Sequence, residues 1–69
     1  VSWWKDIDRQ RRELGISRAE MCRRAGISES TVTYGIKRGT RPYSTTRRQV
    51  ELVIAMERQV QIDTARDSA

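Results

Sequence analysis

Eleven residues apart, the chain writes the same four-residue word twice, as Leu14-Gly15-Ile16-Ser17 and Ala25-Gly26-Ile27-Ser28. In each word an apolar residue ends a helix, and glycine takes the left-handed conformation that closes it without a Cβ clash. The isoleucine turns back onto a core, and the serine caps the helix that follows. Ser17 with Glu20 three residues on makes a capping box. Two corners in such quick succession leave no slack, so three helices are forced into a fixed, non-parallel arrangement. Few folds accommodate that.

Apolar spacing places the helices around these corners. Helix one is expected over about Trp3 to Leu14, with Trp3, Ile7 and Leu14 as its core stripe and Trp4 at the edge. Asp8–Arg12 and Arg9–Glu13 read as i,i+4 pairs on its wet side. Helix two spans about Arg18 to Ala25 and puts Met21, Cys22 and Ala25 on one arc. Helix three starts after Ser28 and reaches Lys37. Gly35 inside it costs about 1 kcal/mol against alanine. Its place on the flank of the buried face predicts close approach by helix one or two. Ending the helix at Tyr34 instead would leave less than two turns. A basic loop, Lys37 to Tyr43, leads to helix four, which Ser44 or Thr45 caps and which runs to about Gln61.

The fold class that follows is all-α: a compact four-helix bundle, with a fifth helix as the variant. Residues 1–61 form one domain. Residues 62–69 are small, polar and charged, and read as a tail or a linker to a further C-terminal domain. A chain of 69 residues has few other means of support. It buries only about 60% of its unfolded surface. Cys22 is alone, so no intrachain disulfide is available, and the absence of histidine argues against a zinc site. No metal and no cofactor are expected. Helix four carries more apolar surface than one core requires: Val50, Val53 and Ile54 face one way, and Leu52, Met56 and Val60 another. The second set is a candidate interface with another subunit or with a fifth helix.

Charge narrows the function. The net charge is +5, and twelve of the fourteen cations are arginine, which forks onto phosphate and guanine as lysine cannot. No apolar run approaches the ~20 residues of a membrane span, and no signal peptide is recognisable, so a cytoplasmic protein is expected. Catalysis is not: without histidine, an activated cysteine or paired inward carboxylates, no nucleophile–base constellation can be assembled. Trp3 and Trp4 could stack on single-stranded bases, but at the head of an amphipathic helix such a pair reads as core and rim. Helix three has two unlike faces. Val32 and Ile36 lie together on one, and Ser30, Thr33, Tyr34 and Lys37 on the other. A helix in a DNA major groove needs such an outward stripe of mixed hydrogen-bonding groups.

The run Ser17-Arg18-x-x-Met21-Cys22-x-x-Ala25-Gly26-Ile27-Ser28-x-Ser30-Thr31-Val32, followed by Ile36 and Arg38-Gly39, resembles the helix-turn-helix of the lambda-repressor-like superfamily. The resemblance covers about Trp3 to Met56. It implies a lambda-repressor-like bundle that binds double-stranded DNA sequence-specifically, as the DNA-binding domain of a transcriptional regulator of the phage or prophage repressor type. Arg18, Ser30, Thr33, Tyr34 and Lys37 would face base edges. Ser17, Arg38, Arg41, Tyr43 and Thr45 would hold phosphates. Leu52, Met56 and Val60 would pair two copies as a homodimer on an inverted-repeat operator. Glu29, at the head of helix three, would support the helix N-terminus or accept from a cytosine amine. No membrane and no small-molecule ligand enter this picture, and the protein would be bacterial or phage-encoded and associated with the nucleoid. The competing expectation is an antitoxin-like module that grips a protein partner and also binds DNA.

Overall fold

In the computed structural model, which describes residues 2–67, the chain is four helices: α1 (Trp3–Leu14), α2 (Arg18–Ala25), α3 (Glu29–Arg38) and α4 (Ser44–Asp67). No strand occurs among the described residues. Both glycine corners form as expected. Gly15 and Gly26 sit at φ 76° and 72°, and each helix closes with a doubled bond. Ile27 N–H reaches the Cys22 carbonyl at 3.0 Å and Gly26 N–H reaches Arg23 at 3.4 Å, while Ile16 and Gly15 repeat the pattern onto Arg11 and Arg12.

The two serines differ. Ser17 Oγ accepts from the Glu20 N–H at 3.0 Å, one half of a capping box, while the Glu20 carboxylate is held by Arg23. Ser28 makes no side-chain bond to the backbone of its helix. Its hydroxyl instead joins those of Ser30 and Thr31, each at 2.9 Å. Neither Ser44 nor Thr45 precedes α4. Both lie in its first turn, and the carbonyl of Tyr43 accepts from Arg47 N–H at 2.9 Å.

The core is Trp4, Ile7, Met21, Cys22, Ala25, Val32, Val50, Val53 and Ile54, with Trp3, Leu14, Ile16, Ile27 and Ile36 around it. The order of the tryptophans is the reverse of the periodicity reading: Trp4 is buried and Trp3 is the rim. Gly35 is the reason. A Cβ built on it would stand 2.3 Å from Cδ1 and Nε1 of Trp4, so the indole of α1 occupies the notch that a missing side chain leaves in α3. Trp3 turns toward α4 and donates its Nε1–H to Glu51 at 3.2 Å, meeting Trp4 edge-on at 4.9 Å. The flank position of Gly35 thus does what the sequence required of it.

Helix α4 packs on α1 and α2 through Val50, Val53 and Ile54. Arg24 of α2 pairs with Glu57 at 2.8 Å, and Gln61 donates to the Leu14 carbonyl. Past Gln61 the helix continues to Asp67 rather than giving way to irregular chain, but every residue there is exposed. Residues 68 and 69 of the expected tail lie outside the described residues. No helix among the described residues is long and apolar enough to cross a membrane.

Candidate nucleic-acid interface

Helix α3 is held from behind. Val32 and Gly35 are buried against α1 and α2, and Ile36 is half-buried. That leaves Ser30, Thr33, Tyr34 and Lys37 exposed along the outer side. The guanidinium of Arg38 lies over the Tyr34 ring, 4.6 Å from its centroid, a cation–π contact worth about 0.5–1 kcal/mol at an exposed site. Thr33 donates its hydroxyl to the Glu29 carbonyl at 3.2 Å.

Helix α3 makes no close backbone approach to α4, and an open cleft of about 540 Å³ separates it from the loop that leads there. Trp4 and Gly35 form part of its wall, and Ser30, Tyr34, Arg41 and Tyr43 stand around it. The structure therefore brings together two expected base-facing residues and two expected phosphate-facing ones. Thr40 and Thr46 add hydroxyls to the same cleft. Lys37, Thr45 and Ser17 are exposed, but no hydrogen bond or ion pair among the described residues links them to the cleft.

Arg18 is placed differently from a free surface arginine. Its Nη2 donates to Asp8 Oδ1 at 3.2 Å, and its Nη1 lies 3.5 Å from Thr33 Oγ1. Asp8 is no wet-side residue. It is 6% exposed, because Arg11 at 3.0 Å, Arg18 and, more distantly, Arg12 at 3.7 Å converge on it. The wheel of α1 alone misjudges it, since arginine stems from two helices cover it. Burial by itself would raise the Asp8 carboxyl, but hydrogen bonds and charge from Arg11 and Arg18 outweigh this and hold it below the usual carboxylate range. Burial and the nearby Glu29 carboxylate push the Cys22 thiol up, so it stays protonated and buried.

The charge distribution shows residues that motif reading passed over. From residue 30 to residue 50 there is no acid, while Lys37, Arg38, Arg41, Arg47 and Arg48 all fall within the run. Those five cations equal the net charge of the whole chain, and the nine outside match the nine acids one for one. Arg47 pairs with Glu51 at 2.8 Å. Lys37, Arg38, Arg41 and Arg48 have no acidic partner among the described residues. Counting acids along the chain would have found Arg47 and Arg48.

Leu52, Met56 and Val60 are 58%, 59% and 56% exposed, on the side of α4 away from the core. Leu52 and Met56 border a groove shared with Arg23, Arg24 and Gly26. Compared with protein-family models, curated proteins and solved structures, the chain has no match.

Proposed function

We propose that this chain is the DNA-binding domain of a transcriptional regulator, built on a lambda-repressor-like helix-turn-helix formed by α2, its glycine corner and α3. The carrying observation is the acid-free run 30–50, which places Lys37, Arg38, Arg41 and Arg48, none with an acidic partner among the described residues, on the helix whose polar face is exposed, on the loop beside it and in the first turns of α4. A duplex needs both halves of that arrangement. Cations without internal acids release counterions from the phosphates. A mixed set of hydroxyl, phenol and ammonium groups discriminates base edges.

On this reading α3 enters the major groove. Lys37 meets guanine acceptors, and Ser30, Thr33 and Tyr34 read neighbouring edges, with Arg18 beside them. Arg41, Tyr43, Thr45 and Arg38 hold one strand's phosphates at the loop, and Ser17 holds another at the head of α2. Ser17 Oγ accepts from the Glu20 N–H, which leaves its O–H proton to donate to a phosphate oxygen. The resemblance of the run from Ser17 to Gly39 to the lambda-repressor-like helix-turn-helix is what supports a repressor of the phage type.

The Leu52–Met56–Val60 stripe supports pairing of two copies on DNA, and the operator is then an inverted repeat with half-sites about 34 Å apart. The same exposed stripe favours the second reading, an antitoxin-like module whose α4 grips a different protein.

Selection of bound duplex from a random library tests all of this together. The expected result is an enriched two-fold-symmetric motif and an affinity that falls steeply with salt. Enrichment of no motif, with affinity insensitive to salt, would remove the DNA reading and leave the protein-binding one.

A further inference from the structure

Three arginines surround Asp8, but they are not equivalent. Arg11 gives its Nε to Asp8 and its Nη1 to the Ile16 carbonyl at 2.7 Å, so both ends stay within the first corner. Arg12 is 65% exposed and only grazes the carboxylate. Arg18 alone reaches α3. Thr33, where it arrives, has already committed its hydroxyl proton to the Glu29 carbonyl, and its oxygen faces Arg18 Nη1. The threonine hydroxyl has thereby spent its one proton and can offer no donor of its own, so the donors at this spot are those of Arg18. What the spot offers outward are the remaining guanidinium N–H groups of Arg18, at an orientation set by Asp8.

We infer that Asp8 is a positioning residue for sequence recognition: it holds Arg18 across Thr33, and guanidinium and threonine act as one reader of a single base pair. The unit presents donors, so it selects a base with paired major-groove acceptors, which is guanine. This rests on α3 reading DNA. It adds that specificity at one position is controlled from α1, by a buried carboxylate that touches no nucleic acid.

The test is duplex selection with the unmodified protein, Asp8→Ala and Arg18→Lys. The unmodified protein is expected to prefer guanine roughly tenfold at one position of each half-site. Asp8→Ala flattens that position selectively and retains the preferences at the other positions. Arg18→Lys keeps the charge, but a single ammonium cannot span Asp8 and Thr33, so it flattens the same position. A purely structural role for Asp8 would weaken binding to every sequence equally. Guanine preference surviving at that position, as distinct from the one Lys37 reads, in either variant overturns the inference, and Arg18→Lys decides alone if Asp8→Ala does not fold. No motif for the unmodified protein would instead overturn the DNA reading beneath it.

Discussion

Arginine does two different things in the two halves of this molecule. In α1 and α2 all six arginines are paired with acids: Arg9 with Asp6 and Glu13, Arg11, Arg12 and Arg18 with Asp8, Arg23 with Glu20, and Arg24 with Glu57. From α3 into the start of α4, Arg38, Arg41 and Arg48 face solvent without an acid among the described residues. The first set orients helices and balances charge internally. The second leaves a positive field unneutralised, which is what a polyanion can use. A cation's contribution is set by its acids, so composition alone cannot tell the two sets apart.

The largest effect should come from breaking the paired half at its buried centre. Asp8→Ala leaves Arg11, itself only 13% exposed at the side chain, without its carboxylate, and is expected to cost about 3 kcal/mol in urea unfolding. The acid limb reports the same group. Asp8 titrates below its ordinary value, as do Glu57 beside Arg24 and Glu51 beside Arg47 and Trp3. A lowered carboxyl contributes stability that is fully present above its unfolded-state value and is lost as pH falls through the folded one. Stability should therefore decline below about pH 4, and Asp8→Ala should flatten part of that decline. An acid profile identical in the two proteins would contradict the hub.

Next in size is the seam between the halves. Gly35→Ala improves helix propensity by about 1 kcal/mol, yet its Cβ would meet the buried Trp4 ring. Overpacking of this kind costs about 1–3 kcal/mol, so the sign should reverse and the thermal midpoint should fall. A rise in midpoint would mean that Trp4 can move aside, and that the back of α3 is not fixed by packing.

These cases also show what could be read before folding. The four helices, both glycine corners and the split of α4 into a covered and an uncovered arc follow from local rules: a left-handed glycine, a capping serine, a period of 3.6. Trp3 against Trp4 could not be ordered that way. The choice depended on a notch at Gly35 in α3, about thirty positions along, and no wheel drawn on α1 contains it. Asp8 failed similarly, because its neighbour is the first turn of a different helix. The outer face of α3 was legible because exposure there is the complement of Val32, whereas the cleft wall that gathers Ser30, Arg41 and Tyr43 required the path of the loop. The end of α4 misled for another reason. Polar, small residues suggested irregular chain, but a helix already running needs little to continue, since propagation is far easier than nucleation.

The smallest effect on stability should be the most telling about the second half. Arg41 and Arg48 are exposed and have no acid to lose, so replacing both with alanine should shift unfolding by no more than about 0.5 kcal/mol. If they meet phosphates, the same double variant should lower the slope of log affinity against log salt by about two and weaken all duplex sequences alike. Replacing Arg9 and Arg23 offers the matched control, since those arginines are also exposed but already neutralised by Asp6, Glu13 and Glu20. Their removal takes away the same two charges from the other half. A slope that drops equally in both double variants would mean only net charge matters. A drop confined to Arg41 and Arg48 would mean that the acid-free run, and not the overall balance, is what the duplex meets.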